Sequence, residues 1–286
     1  MMKRTDLHMH TTASDGSYQP QELIKKCAEA KLEWIAITDH DTTAGIEEAK
    51  SAAADYGMNV INGIELSCVH NGKSVHMLGY GIDPSSKRLQ NELKNQQWMR
   101  QERLTHMLTQ LKMEGISLEE EEVYTYSSNK NVGRPHLAKA LLNKGYVRSV
   151  KEAFDLYLAE GKKGYVPKPK EFTPEEAMEL IEVSGGLSVI AHPKDYNLDA
   201  MIHSWLVTEK LAGIEIWHRE HDKKTVKRFE QLADIAEQES GRPVIRTGGS
   251  DFHHEAHGSI PLHLGEVTIS NQYAEQLQKR ISTAQT

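Results

Sequence analysis

An α/β barrel interrupted by a helical insertion is the fold this sequence predicts, and three observations predict it. Seven short apolar runs read as strands, and most are followed by a helical pattern. The rhythm breaks once, from residue 84 to about 165, into a helical stretch rich in Gln, Glu, Lys and Met. The chain of 286 residues, 38% hydrophobic and 26% charged, is long enough to bury a sizeable core. Its composition excludes disordered, collagen-like and disulfide-scaffold classes. The expected division is a barrel from residues 1–84 and 165–286, with residues 85–164 as the insertion.

The elements follow in order. Residues 5–8 open as a strand, and 20–31 form a helix with Pro20 near its start and Leu23, Ile24, Cys27 and Ala28 at helical spacing. Residues 34–38 are a buried-strand run, and a helix over 43–56 closes at Gly57. Strands at 60–66 and 75–80 are joined through Asn71-Gly72, a hairpin signal. Within the insertion, Gly115 and Gly145 fit helix C-caps. After Pro167-Lys168-Pro169 the alternation resumes, and Thr173-Pro174-Glu175-Glu176 combines an N-cap, a proline at the first helical position and a capping-box Glu. Further strands are expected at 187–191, 213–217 and 244–247.

No apolar run approaches the roughly 18–20 residues of a membrane span, and the first residues lack the apolar core of a signal peptide. Cys27 and Cys68 are too few for a disulfide framework, so a cytoplasmic location is expected. A net charge of −7 argues against an extended nucleic-acid surface but leaves room for a local anion pocket. Against 2 cysteines stand 15 histidines, so any metal here has imidazole and carboxylate ligands.

The histidines and acids fall at strand ends. The first strand gives Asp6-Leu7-His8-Met9-His10, then Ser14-Asp15-Gly16; the second gives Thr38-Asp39-His40-Asp41. Glu65 lies on the third strand, His76 near the start of the fourth, His192 after the fifth, and Asp251 and His253 after the last. Two residues apart on an extended segment, His8 and His10 point to the same side. In a parallel barrel such strand ends converge on one face. A lone His beside a strand is more often a core or surface group than a ligand. Nine such residues buried together without a cation would leave costly unsatisfied groups.

The segments DLHMHTTASDG, TDHD, GIELS, AHP and SDFH resemble the polymerase and histidinol phosphatase (PHP) family. The Gly133–His136 segment GRPH and the Tyr-Val-Pro-Lys-Pro run at 165–169 resemble its stand-alone phosphoesterase branch, which includes 3′,5′-nucleoside bisphosphate phosphatases and RNA 5′-end exonucleases. The resemblance implies a distorted (β/α)7 TIM-like barrel with a helical cap, and two or three divalent metal ions, Mn, Fe or Zn. It assigns His8, His10, Glu65 and Asp251 to one ion, Glu65 with His76 and His192 to a second, and Asp15, His40 and His253 to a third. Some members carry His where Asp15 stands, which hardens that position toward oxygen donors.

The chemistry this implies is hydrolysis of phosphate esters of small nucleotides or short oligonucleotides through a metal-bridging hydroxide, with no Ser or Cys nucleophile. Asp251 is the expected proton acceptor. His218, following the strand at 213–217, is expected to touch phosphate or the leaving group. Arg134 and His136, at a proline-led helix start, and Lys168, at the return to the barrel, are the expected substrate contacts. The alternatives are a phosphomonoesterase for a metabolite such as histidinol phosphate, or a non-catalytic scaffold. The ligand positions are complete, which argues against the scaffold, and a cap arginine suited to a second anionic group argues for nucleotides.

Overall fold

The computed structural model describes residues 3–126, 132–167, 170–208, 210–257 and 261–285. The chain divides into two compact units: residues 1–90 with 172–286, and residues 91–171. In chain order the elements are β1 (Lys3–Asp6), α1 (Pro20–Glu29), β2 (Trp34–Ile37), α2 (Ile46–Ala54), β3 (Asn59–His70) and β4 (Lys73–Tyr80). There follow α3 (Lys87–Met113), α4 (Glu120–Tyr124), α5 (Arg134–Asn143) and α6 (Val150–Ala153), the last running into one π-helical turn, Phe154–Leu158. Then come α7 (Pro174–Val183), β5 (Leu187–Ile190), α8 (Asp199–Val207), β6 (Gly213–His218), α9 (Lys223–Ser240), β7 (Ile245–Gly249), β8 (Ile269–Ser270) and α10 (Asn271–Ala284).

The first unit holds one sheet of eight strands in the order β7-β6-β5-β4-β3-β2-β1-β8. It curls almost shut: the Leu7 N–H donates to Gly248 O at 3.2 Å, and Met9 pairs with Phe252 in parallel. The architecture is the expected distorted α/β barrel, with two departures. An eighth strand, β8, adds antiparallel to β1. It has only two residues, too short to stand out as an apolar run in the sequence. And β4 runs antiparallel to both β3 and β5, whereas the other neighbours from β1 to β7 pair in parallel.

That reversal is built into the Asn71-Gly72 turn. Both residues adopt positive φ, 49° and 77°, the geometry of a two-residue hairpin whose twist matches its strands. Its consequence reaches the site. Because β4 enters where β3 ends, His76 near its beginning stands opposite Ser67 and shares the face on which the parallel strands end. The Thr173 N-cap is as expected: its hydroxyl accepts from Glu176 N–H, and Glu176 accepts from Thr173 N–H in return. In α2 the helix starts only at Ile46, after a turn at Thr43–Gly45.

Strand alternation sorts the core. Ile35 and Ile37 pack with Leu23, Ile24, Cys27 and Ala49 of α1 and α2. Ala36 instead joins Leu7, Ile61, Leu78, Tyr80, Val189 and Ile245 in the interior, with Leu277 and Ile281 of α10. The Tyr80 hydroxyl donates across that interior to Leu7 O at 2.8 Å. The helical unit buries a core of its own from Leu104, Met107, Leu111, Val123, Leu137, Leu141 and Leu158 among others. No helix among the described residues is long and apolar enough to cross a membrane.

Gly249 holds the closure. A Cβ there would lie 2.5 Å from both Cβ and the backbone nitrogen of His8, which cannot swing aside as a flexible side chain would. Gly249→Ala is therefore expected to push β7 off the first strand, destabilising the chain by about 1–3 kcal/mol, read as a lower midpoint in denaturant unfolding.

Candidate metal centre

Leu7 and Met9 point into hydrophobic clusters, so the residues between and after them, His8 and His10, turn to the open end of the barrel. There they meet Glu65 of β3, a carboxylate with no solvent exposure. Oε2 of Glu65 lies 3.2 Å from His8 Nε2, 3.2 Å from His10 Nε2 and 3.1 Å from His40 Nδ1. Its Oε1 lies 2.9 Å from His76 Nδ1 and 3.0 Å from His192 Nε2. Five imidazoles thus surround one buried carboxylate.

Two further acids complete the constellation. Asp251 Oδ1 is 3.1 Å from His10 Nε2 and 3.4 Å from His8 Nε2, and its Oδ2 is 3.5 Å from His218 Nε2. Asp15 Oδ1 is 3.2 Å from His253 Nε2, and its Oδ2 is 4.0 Å from His40 Nε2. Three sets of donor atoms each lie within 4.8 Å of one another: His8, His10, Glu65 and Asp251; His10, Asp15, His40 and His253; and His40, Glu65 and His76. Every residue named from sequence as a ligand lies in this region. The groupings differ from the implied ones in two ways. His10 and His40 each belong to two sets, and His192 reaches the cluster through Glu65 and its ring contact with His76.

The local backbone is bent to make this possible. His192, Asp251 and Asp41 have positive φ (25°, 50° and 52°), the left-handed region that costs a non-glycine residue energy and concentrates at functional sites. All three sit just beyond strand ends or their bridges, where the turn aims a side chain back over the barrel mouth.

The donors fit a cation. Ligands about 2.0–2.2 Å from one ion stand about 3–4 Å from each other, the spacing seen around Glu65. His8 Nε2, both ring nitrogens of His10 and Glu65 Oε2 are buried with no hydrogen-bond partner. Glu215, buried on β6, takes the Nδ1 proton of His8 at 3.0 Å. What neutralises the point where His8 Nε2, Glu65 Oε2 and Asp251 Oδ1 meet must then be a second proton or a metal ion.

Proton affinities carry the same message. Burial alone would raise Glu65, yet His40, His8 and His76 hold its carboxyl well below the usual range. Burial works likewise against Asp251, and His8 and His10 hold it low. Burial depresses His40 to about 4. Burial acts on His10 too, but its contacts with Asp251 and Glu65 carry it up to about 10, the mark of a site that draws positive charge.

A second ring of residues, whose roles do not show in the sequence, positions these side chains. Glu215 also accepts from His192 N–H at 2.7 Å. The Tyr196 hydroxyl accepts from His76 N–H at 3.0 Å and sits 3.1 Å from His192 Nδ1, able to serve either tautomer because it both donates and accepts. Asp39 accepts from the Thr11 N–H, Thr11 hydroxyl and Ser14 hydroxyl, and Asp6 from His8 and Ser250 N–H, bracing the two loops that carry ligands. The signal that could have exposed Glu215 is a carboxylate inside the apolar run Gly-Ile-Glu-Ile-Trp, which no core would accept unpaired.

Of the expected substrate residues, His218 lies at the cluster, buried against Asp251. Arg134 is the first residue of α5 in the helical unit, and His136 two residues on accepts from Gly133 N–H through Nδ1, capping its own helix. Lys168 lies outside the described residues.

A barrel whose strand ends gather six imidazoles and two further carboxylates around a buried glutamate defines a metal-dependent hydrolase. The chain belongs to the PHP domain family, whose profile matches residues 6–196. It is 33% identical over 262 residues to a 3′,5′-nucleoside bisphosphate phosphatase of Chromobacterium violaceum, covering 90% of each chain. It is 35% identical over 257 residues to the 5′-3′ exoribonuclease Rnm of Escherichia coli, covering 87% of this chain and 84% of that one. A solved structure from Bifidobacterium adolescentis superimposes with a TM-score of 0.77 at 28% identity, over 98% of this chain and 97% of the other.

Glu215→Gln keeps the shape of the side chain but leaves one acceptor oxygen for two donors. It is expected to cost about 10–100-fold in metal affinity, measured as metal retained against a competing chelator, with little change in the unfolding midpoint of the metal-stripped protein.

Proposed function

We propose that this chain hydrolyses phosphate esters of small nucleotides, such as nucleoside 3′,5′-bisphosphates, or of short oligonucleotides, using two or three divalent ions. The observation that carries this reading is the convergence of five imidazoles and a second carboxylate on Glu65. His8, His10, Glu65 and Asp251 would hold one ion, Glu65 with His76 and His192 a second, and Asp15, His40 and His253 a third. The mixed nitrogen and oxygen donors suit Mn, Fe or Zn, and Asp15 makes the third position the hardest. Bound there, such ions neutralise phosphate charge and activate water. The nucleotide class is supported by the relatives, one named for nucleoside bisphosphates and one for RNA.

The chain's own groups supply proton transfer. Asp251, held ionised by the imidazoles that overcome its burial, accepts the proton of the attacking water. Glu220 N–H donates to His218 Nδ1 at 3.2 Å, so a neutral His218 carries its proton on Nε2, toward Asp251 and the cluster. From there it protonates the departing alkoxide, and the proton that Asp251 took from water returns to His218 Nε2, leaving both residues as they began. Glu215 and Tyr196 keep the surrounding rings from rotating as charge develops.

The test is turnover by the protein reconstituted with Mn, Fe or Zn on adenosine 3′,5′-bisphosphate, a 5′-phosphorylated short RNA and histidinol phosphate. Hydrolysis of the first or second, well above the third and abolished by chelation, is expected. Asp251→Asn should lower kcat by about 10²–10⁴-fold, and labelled water should place its oxygen in the phosphate within one turnover. A preference for histidinol phosphate would overturn the substrate class, and protein-derived oxygen in the product would overturn the route.

A further inference from the structure

Asp15 and His253, which face each other in one of the three donor sets, are carried by two loops, residues 11–18 after the first strand and 251–257 after β7. The Asp15 side chain is 46% exposed, against 19% for Asp251 and none for Glu65, so burial does not fix where its carboxylate points. His253 is better held. Its ring stacks on that of His10, with centres 4.1 Å apart, and on that of His257, 3.9 Å apart. Asp15 has to be brought to it by the loop backbone. There Ser17 N–H donates to His253 O and Thr12 N–H to Tyr18 O, both at 2.9 Å.

Behind those bonds lies a side-chain clamp that the chemistry above does not use. The Tyr18 hydroxyl donates to Glu255 Oε2 at 2.6 Å, and Lys26 Nζ donates to Glu255 Oε1 at 2.9 Å. Lys26 Nζ also sits 4.4 Å from the centre of the Tyr18 ring. That ring in turn stacks, 9° from parallel, on Phe252, the fully buried residue between Asp251 and His253. Lys26 belongs to α1, which the buried Leu23, Ile24 and Cys27 anchor in the core. One carboxylate therefore ties both loops to a fixed helix.

Stability does not account for the clamp. Lys26 and Glu255 are each 34% exposed, and an ion pair that open to water adds little to folding. Placement does account for it, because groups that orient a metal ligand commonly govern metal affinity. An independent feature marks the same spot as a cation position. His10 Nδ1, buried with no hydrogen-bond partner, lies 3.8 Å from Asp15 Oδ1, and His253 Nε2 lies 3.2 Å from that same oxygen.

We propose that Tyr18, Lys26 and Glu255 set the affinity of the ion position formed by Asp15, His40 and His253, separately from the positions built on Glu65. They are positioning residues, acting through Asp15 and His253. The ion at this position is the most readily exchanged, and the clamp decides whether the centre holds it. This rests on the metal-binding part of the proposed function and not on the choice of substrate.

The experiment is equilibrium dialysis of Mn²⁺ against the metal-stripped full chain, counting ions bound as free Mn²⁺ rises. Wild type is expected to bind a weakest ion that Asp15→Ala lacks. Tyr18→Phe keeps the ring and its stacking and loses only the hydroxyl, whereas Glu255→Gln keeps the size and loses the charge. In both, the Kd of the weakest ion is expected to rise about 10–100-fold, with the tighter ions and the unfolding midpoint of the metal-stripped protein unchanged. Lys26→Arg, which keeps the cation, should fall between wild type and these variants. Weakening of every ion together would mean a general structural role and overturn the proposal. So would an unchanged weakest ion in both variants, or identical Mn²⁺ binding by wild type and Asp15→Ala. Turnover is not read, so failure to hydrolyse nucleotides would overturn the substrate class and leave this result standing.

Discussion

A carboxylate shut away from water is costly unless opposite charge or hydrogen-bond donors surround it, and Glu65 meets that requirement through residues from four separate places in the chain. His8 and His10 come from the end of the first strand, His40 from the second, His76 from the reversed fourth and His192 from the fifth. His40 and His76 flank Glu65 on neighbouring segments, whereas His8, His10 and His192 come from strands two places away that the curl of the sheet brings inward. The closure between the first and last barrel strands, with Gly249 pressed against His8, is therefore a condition for the centre as well as for the fold. Breaking any one contact leaves a buried charge short of a partner, which makes the barrel mouth the most demanding region of the molecule.

That demand explains the polar layer behind the ligands. Glu215 serves two neighbours at once, His8 through the ring and His192 through the backbone. Tyr196 does the same for His76 and His192. Such shared acceptors fix ring orientation more firmly than packing can, because a rotated imidazole would lose a hydrogen bond with no water to replace it. The left-handed residues Asp41, His192 and Asp251 belong to the same economy, strain accepted where a side chain must face inward.

Charge is distributed with equal purpose. The chain is acidic overall, at −7, yet its helical unit concentrates arginines in one recess without a carboxylate among the lining residues. Negative charge elsewhere disfavours broad binding to nucleic-acid backbones, while the cation-binding centre remains a local attractor for phosphate.

The sequence by itself determined the strand and helix rhythm, the helical interruption, the Thr173 capping box and the nine imidazole and carboxylate positions, because periodicity, turn chemistry and residue type are local properties. The hairpin at Asn71-Gly72 was legible too, and with it the odd placement of His76. Tertiary structure alone decided which of these residues belong to more than one set of donors. That His10 and His40 each serve two clusters depends on distances of a few tenths of an ångström across strands far apart in sequence. It alone gave Glu215 and Tyr196 their work, since a buried polar residue acquires meaning only from the partner it faces. The arginine recess is likewise invisible in sequence, where Arg103 and Arg134 are separated by thirty-one positions and only the packing of α3 beside α5 brings their charges together.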